Sequence, residues 1–109
     1  MAFRKIDDIQ AWRESRKLAR MIYSQTRQGK VSRDFGFCDQ IQRAAVSIMA
    51  NIAEGFGSGS DTEFSRFLRY SRRSAFEVQS LIYTAADIGY LDEQSFTECL
   101  SKSKESSGW

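Results

Sequence analysis

Arg13, Arg16, Lys17, Arg20 and Arg27 recur every three or four residues near the start of the chain. A helix sets side chains at that spacing along one side. Guanidinium and ammonium groups in such a row hold anions through charge-assisted hydrogen bonds, and phosphate is the anion that a repeated array suits best. A second group, Arg66, Arg69, Arg72 and Arg73, is similarly spaced further on. The formal net charge is only +2, but residues 1–30 hold eight Lys/Arg against three acids, whereas residues 91–109 hold two against four.

Bond-making chemistry lacks its usual residues. There is no histidine, which removes the commonest general base, the usual partner of a nucleophilic Ser or Cys, and the commonest zinc ligand. Cys38 and Cys99 are far apart with no CxxC spacing, and read as reduced, half-buried thiols of a cytosolic protein. No pair of carboxylates is placed for acid–base work, and no serine has a base to activate it. Gly55-Phe-Gly-Ser-Gly-Ser60 has the glycine content of a phosphate-cradling loop, but no strand precedes it and no GK[ST] follows. Asp61 and Glu63 would also set negative charge where a phosphate would lie, so the stretch reads as a flexible connection between helices. The expectation is a non-enzymatic protein with no metal and no cofactor.

The elements that carry these residues follow from composition and period. A chain of 109 residues suits one domain, and 41% apolar with 13% aromatic residues can build a core. Proline is absent and the seven glycines are thinly spread apart from Gly55–Gly59, so turn signals are too few for a sheet protein. The apolar period predicts helices at about 7–28, 34–55, 61–88 and 92–104, with a polar tail to Trp109 that frays. Asp7 or Asp8 is the expected cap of the first helix and Gly29 its stop; Gly55 and Gly89 are expected to end the second and third. Ser60 and Glu63 form a capping box for the third. The N-terminus runs into Asp7 and Asp8 rather than an apolar core, so it does not read as a secretory signal. The stretch Ala44–Ala53 is too short to cross a bilayer. The reading is a single all-α domain over 1–109: an antiparallel up-down four-helix bundle, three long helices and a short fourth, in the cytoplasm.

The second helix is the most apolar. Phe37, Ile41, Ala44, Ala45, Ile48 and Ile52 form one stripe, while Val46, Met49, Ala53 and Phe56 cover another side. A helix apolar around most of its circumference belongs in the middle of a bundle or at a subunit interface. Gln40, Ser47, Asn51 and Glu54 draw a narrow polar line along it, expected to be a structural seam satisfied by neighbouring helices or subunits. Glu54 opposes the helix dipole and should seek a cation from among Arg43, Arg69 and Arg73. Arg73 and Glu77 are spaced as an i,i+4 pair.

The run Gln40-Ile-Gln-Arg43-Ala44-Ala45-Val-Ser47-Ile48-Met-Ala-Asn51-Ile52-Ala53-Glu54-Gly55 closely resembles the signature of a family of bacterial four-helix bundle proteins. That family was first noted as open reading frames within 23S ribosomal RNA intervening sequences, and it includes the accessory variability protein of diversity-generating retroelements. Phe3, Asp8-Ile9-x-Ala11-Trp12, Glu63-Phe64-x-Arg66-Phe67-Leu68 and Gly89-Tyr90-Leu91 extend the likeness over about residues 3 to 100. The first interhelical loop, Lys30–Asp34, departs from the pattern in lacking its usual proline. The resemblance implies a bundle that assembles into a pentameric ring, with no enzymatic activity, whose retroelement members bind nucleic acid and a reverse transcriptase through a basic surface.

In such a homo-oligomer each exposed arginine is repeated around one surface, and the local field grows with it. Arg13, Arg16, Lys17 and Arg20 are the expected phosphate contacts, with Arg66, Arg69 and Arg72 as a second set; Gln40, Arg43, Ser47, Asn51, Glu54 and Gly55 form the structural motif. Trp12, Phe64, Phe67 and Phe96 lie on apolar faces and are expected in the core. Few aromatics interleave with the arginines, so shape- and charge-driven binding to structured RNA or duplex is expected rather than base stacking. The alternative is a protein–protein adaptor, for example for a reverse transcriptase, with no direct nucleic-acid role.

Overall fold

The computed structural model describes residues 3–107. The expectations placed on Met1 and Ala2, and on the final Gly108-Trp109 of the tail, lie outside the described residues. Four α-helices follow one another: α1 (Gln10–Thr26), α2 (Phe35–Gly57), α3 (Asp61–Asp87) and α4 (Glu93–Ser107). Each packs on its chain neighbours, and α4 closes back on α1. The result is a four-cornered up-down bundle of 43 × 23 × 19 Å with α1 and α3 at opposite corners. One core runs its length, including Leu18 and Ile22 of α1, Ile48 and Ile52 of α2, Val78 and Ile82 of α3 and Cys99 of α4. These are the residues at helical spacing, and burying that stripe is what makes each helix persist.

Helix ends are set by named caps. The Asp34 carboxylate accepts from the Phe37 amide at 3.1 Å and starts α2; the Ser60 hydroxyl accepts from the Glu63 amide at 3.3 Å and starts α3. The far end of α3 closes as a Schellman motif. The Tyr90 amide donates to the Ala85 carbonyl at 2.7 Å, and the Gly89 amide donates to Ala86 at 3.2 Å. Gly89 takes a φ of +80°, which a side chain would disfavour.

Several boundaries differ from the sequence reading. Asp7 and Asp8 do not cap α1; they lie in a 3-10 turn, Ile6–Asp8, where Asp8 accepts from the amides of Arg4 and Lys5. Gly55 does not end α2, which runs on to Gly57. The expected flexible connection shrinks to residues 58–60, tied by the Ser58 hydroxyl donating to the Gly55 carbonyl at 2.6 Å and accepting from the Ser60 amide at 3.2 Å. Ile88, the last residue of the expected third helix, is half exposed beyond the end of α3. The last helix continues through residues 105–107, and polar residues of the turn before them have partners on the bundle. Ser103 is fully buried, its carbonyl accepts from Gln79 of α3, and the Lys102 ammonium donates to Glu14 of α1 at 3.0 Å.

Candidate nucleic-acid interface

The basic residues of α1 form the line that their spacing demands. Arg13, Arg20 and Arg27 are seven residues apart, two helical turns, and so fall on one generatrix; Arg16 and Lys17 flank it. All five are exposed. They are not equivalent. Lys17 is held by Glu14 at 3.4 Å, and Arg13 donates to the Asp7 carbonyl at 2.8 Å. Among the described residues no carboxylate lies within ion-pair distance of Arg16, Arg20 or Arg27. Arg16 lies over the Trp12 ring at 5.7 Å and Arg27 over Tyr23 at 5.4 Å, contacts that leave the guanidinium charge unneutralised. These three arginines line a shallow groove between α1 and α2, floored by Ala19 and Met49.

The second predicted set is on α3, at the opposite corner, so the seven expected phosphate contacts do not form one surface on a single chain. Arg66 is engaged by Glu63 at 2.8 Å, whereas Arg69 and Arg72 have no such partner among the described residues. Arg73, expected to pair with Glu77, instead lies over the Tyr70 ring at 5.8 Å.

The polar line of α2 is only half a seam. Ser47 shares a hydrogen bond with Ser74 of α3 at 2.9 Å, and the Asn51 amide donates to the Ser47 carbonyl at 2.8 Å. Gln40 and Glu54, by contrast, are exposed. Glu54 has none of the expected cations beside it; Arg43 is taken by Asp39 at 3.0 Å. Gly55 has a packing role: a Cβ there would come 2.9 Å from the Phe67 Cβ and 3.1 Å from the Phe64 Cα.

Of the aromatics expected in the core, Phe64 is buried and Trp12, Phe67 and Phe96 are half-buried. The sequence reading missed the rings outside it. Phe76 and Tyr83 are each 50% exposed and Tyr70 37% exposed, all on the arginine-bearing helix α3. Their signal was available: Phe76 and Tyr83 are seven residues apart and fall on none of the core positions Ser71, Ala75, Val78, Ile82 and Ala85.

Together the helices and caps define a small all-helical up-down bundle bearing basic outer faces. The sequence pattern of the 23S rRNA-intervening sequence protein family matches residues 7–108, and the chain belongs to that family. A crystal structure of a protein of unknown function from the S23 ribosomal protein family of Bacteroides thetaiotaomicron has the same fold: TM-score 0.81 at 21% identity, covering 90% of this chain and 92% of that one. No curated protein matches. No helix among the described residues is long and apolar enough to cross a membrane.

Proposed function

We propose that the chain is a non-catalytic, oligomeric binding module that holds structured RNA or duplex nucleic acid through the outer face of α1. One observation carries this reading: Arg16, Arg20 and Arg27 line a single groove, and among the described residues no carboxylate lies within ion-pair distance of them. Phosphate backbones supply the missing anions at regular intervals, and counterion release drives such binding without base readout. Two free cysteines suit a reducing, cytoplasmic setting.

An apolar strip on α2 would let copies associate. Val46 is 43% exposed and Ala50 is exposed on the outer side of α2, with Met49 and Ala53 half-buried beside them. This apolar strip is the face through which a homo-oligomer, the pentamer implied by the family resemblance, would form. A protein–protein adaptor, docking a partner such as a reverse transcriptase, would use the same strip.

Fluorescence anisotropy of a hairpin RNA and of a duplex DNA, titrated from low to physiological salt, tests the proposal. The expected result is micromolar or tighter binding whose log affinity falls linearly with log salt. Absence of binding at low salt retires it. A protein partner recovered stoichiometrically after nuclease treatment then favours the adaptor.

A further inference from the structure

The outer face of α3 combines charge with exposed rings. Arg69, Arg72, Arg73, Phe76 and Tyr83 are all exposed, and their spacing sets them on one side of the helix. Arg72 lies over the Phe76 ring at 5.6 Å. The Tyr83 ring meets Phe96 of α4 edge to face, with centroids 5.4 Å apart, which fixes its orientation while half of it faces solvent. No carboxylate lies within ion-pair distance of the three arginines among the described residues. Glu77 stands on the flank, and Asp87, one turn beyond Tyr83, ends the basic stretch.

We infer that this face binds single-stranded nucleic acid, with phosphates on Arg69, Arg72 and Arg73 and bases stacked on Phe76 and Tyr83. The charge complementarity selects a polyanion, and the rings select one whose bases are free. A duplex hides the faces of its bases, whereas a single strand offers every one of them, and stacking tolerates any base. From Arg69 to Tyr83 the helix rises about 21 Å, which is roughly six steps of a stacked strand at 3.4 Å each. The inference rests on the reading of the chain as a nucleic-acid binder, but it uses a different helix and a different form of the polymer.

The test uses an oligouridylate of about twelve nucleotides, too uniform to fold on itself, beside the hairpin RNA. Phe76→Leu with Tyr83→Leu keeps apolar bulk at two exposed positions and removes the rings. The double variant is expected to lose about tenfold or more of its affinity for oligouridylate and to keep its affinity for the hairpin. Arg16→Glu with Arg20→Glu is expected to do the reverse. Unchanged oligouridylate affinity in the double leucine variant, or no binding of oligouridylate to the native chain, overturns the inference. So does a smaller assembly of that variant by sedimentation, which would make the rings a contact between copies. Absence of hairpin binding by the native chain, with ring-dependent oligouridylate binding intact, overturns the α1 proposal and leaves this one standing.

Discussion

Gly55 of α2 lies against Phe67 of α3 so closely that an added Cβ would come 2.9 Å from the Phe67 Cβ, 3.1 Å from the Phe64 Cα and 3.3 Å from the Phe64 carbonyl oxygen. Two of those three atoms are backbone, so relief requires the helices to part. Gly57, two residues on, has nothing within 4 Å of a Cβ position and no positive φ. Gly55→Ala is therefore expected to destabilise by about 1–3 kcal/mol through overpacking, despite the better helix propensity of alanine. Gly57→Ala is expected to be neutral or to stabilise by about 0.4–1 kcal/mol. Urea denaturation of both variants checks the pair, and equal effects would mean that Gly55 has no packing role.

That pair shows what the sequence made legible and what it did not. A glycine near the end of an apolar run reads as a helix stop, and only the approach of a second helix reveals it as a spacer. Ser60 and Gly89 were readable because a cap acts on its own neighbours within three or four residues. Ser47 with Ser74 is 27 residues apart in sequence, and Lys102 with Glu14 is 88 apart. No local pattern encodes either, so the sequence shows neither which residues of the polar line pair within the chain nor that α4 runs past residue 104. The α1 arginines are legible from spacing alone, and the rings of α3 only from their place off its buried positions.

The Tyr90 hydroxyl donates to Asp34 Oδ2 at 2.7 Å, tying the loop after α3 to the start of α2. That bond, followed by the Phe37 amide, holds the Asp34 carboxyl below its ordinary value. A carboxyl depressed in the folded state adds stability that is complete above its unfolded value, near 3.9, and is lost as pH falls through the lower folded value. Asp34→Ala should therefore be less stable than the native chain at pH 6 and approach it as acid titrates the native carboxylate. Tyr90→Phe should show a smaller loss over the same range. Thermal unfolding from pH 6 to pH 2.5 reads this, and a difference that does not narrow in acid contradicts it.

Lys102 joins α4 to α1 through Glu14 at 3.0 Å, and the side chains are only 23% and 19% exposed. Hydrogen bonds from Lys102 lower the Glu14 carboxyl, and hydrogen bonds to Glu105 and Glu14 raise the Lys102 ammonium. The contribution is thus present at neutral pH, lost as pH falls through the Glu14 value, and lost again only as pH rises above that of Lys102. Lys102→Met is expected to lower stability by about 0.2–1 kcal/mol, the range for a solvent-screened pair. It should also speed amide exchange in the last turns of α4 more than in α2 or α3. Uniform acceleration across all four helices would show that α4 does not depend on this tie.

Cys99 is buried in the core, and burial pushes its thiol up to about 11. Cys38 is also buried and is raised by burial and by Asp34. At pH 8 the Cys99 thiolate is then about one part in a thousand. A thiol reagent should modify the folded chain slowly and both cysteines at once after denaturation. Rapid labelling of Cys99 in the native state would mean that α4 opens far more readily than its packing implies.

The α1 groove makes a prediction in which two arginines differ from a lysine beside them. Among the described residues no carboxylate pairs with Arg16 or Arg20, while Lys17 is partly neutralised by Glu14 at 3.4 Å. Each phosphate contact adds close to one counterion, so Arg16→Ala with Arg20→Ala should flatten the slope of log affinity against log salt by about 2. Lys17→Ala should change it by well under 1, because its charge is already shared. Among the described residues Arg20 has no hydrogen bond, ion pair or ring contact, and Arg16 has only the Trp12 ring, so the double variant should keep its fold apart from about 0.5–1 kcal/mol of cation–π stabilisation. Circular dichroism controls for that loss. A slope unchanged in the arginine variant but flattened in the lysine variant would place the phosphates on the α4 side of α1, against Glu14, and not in the groove.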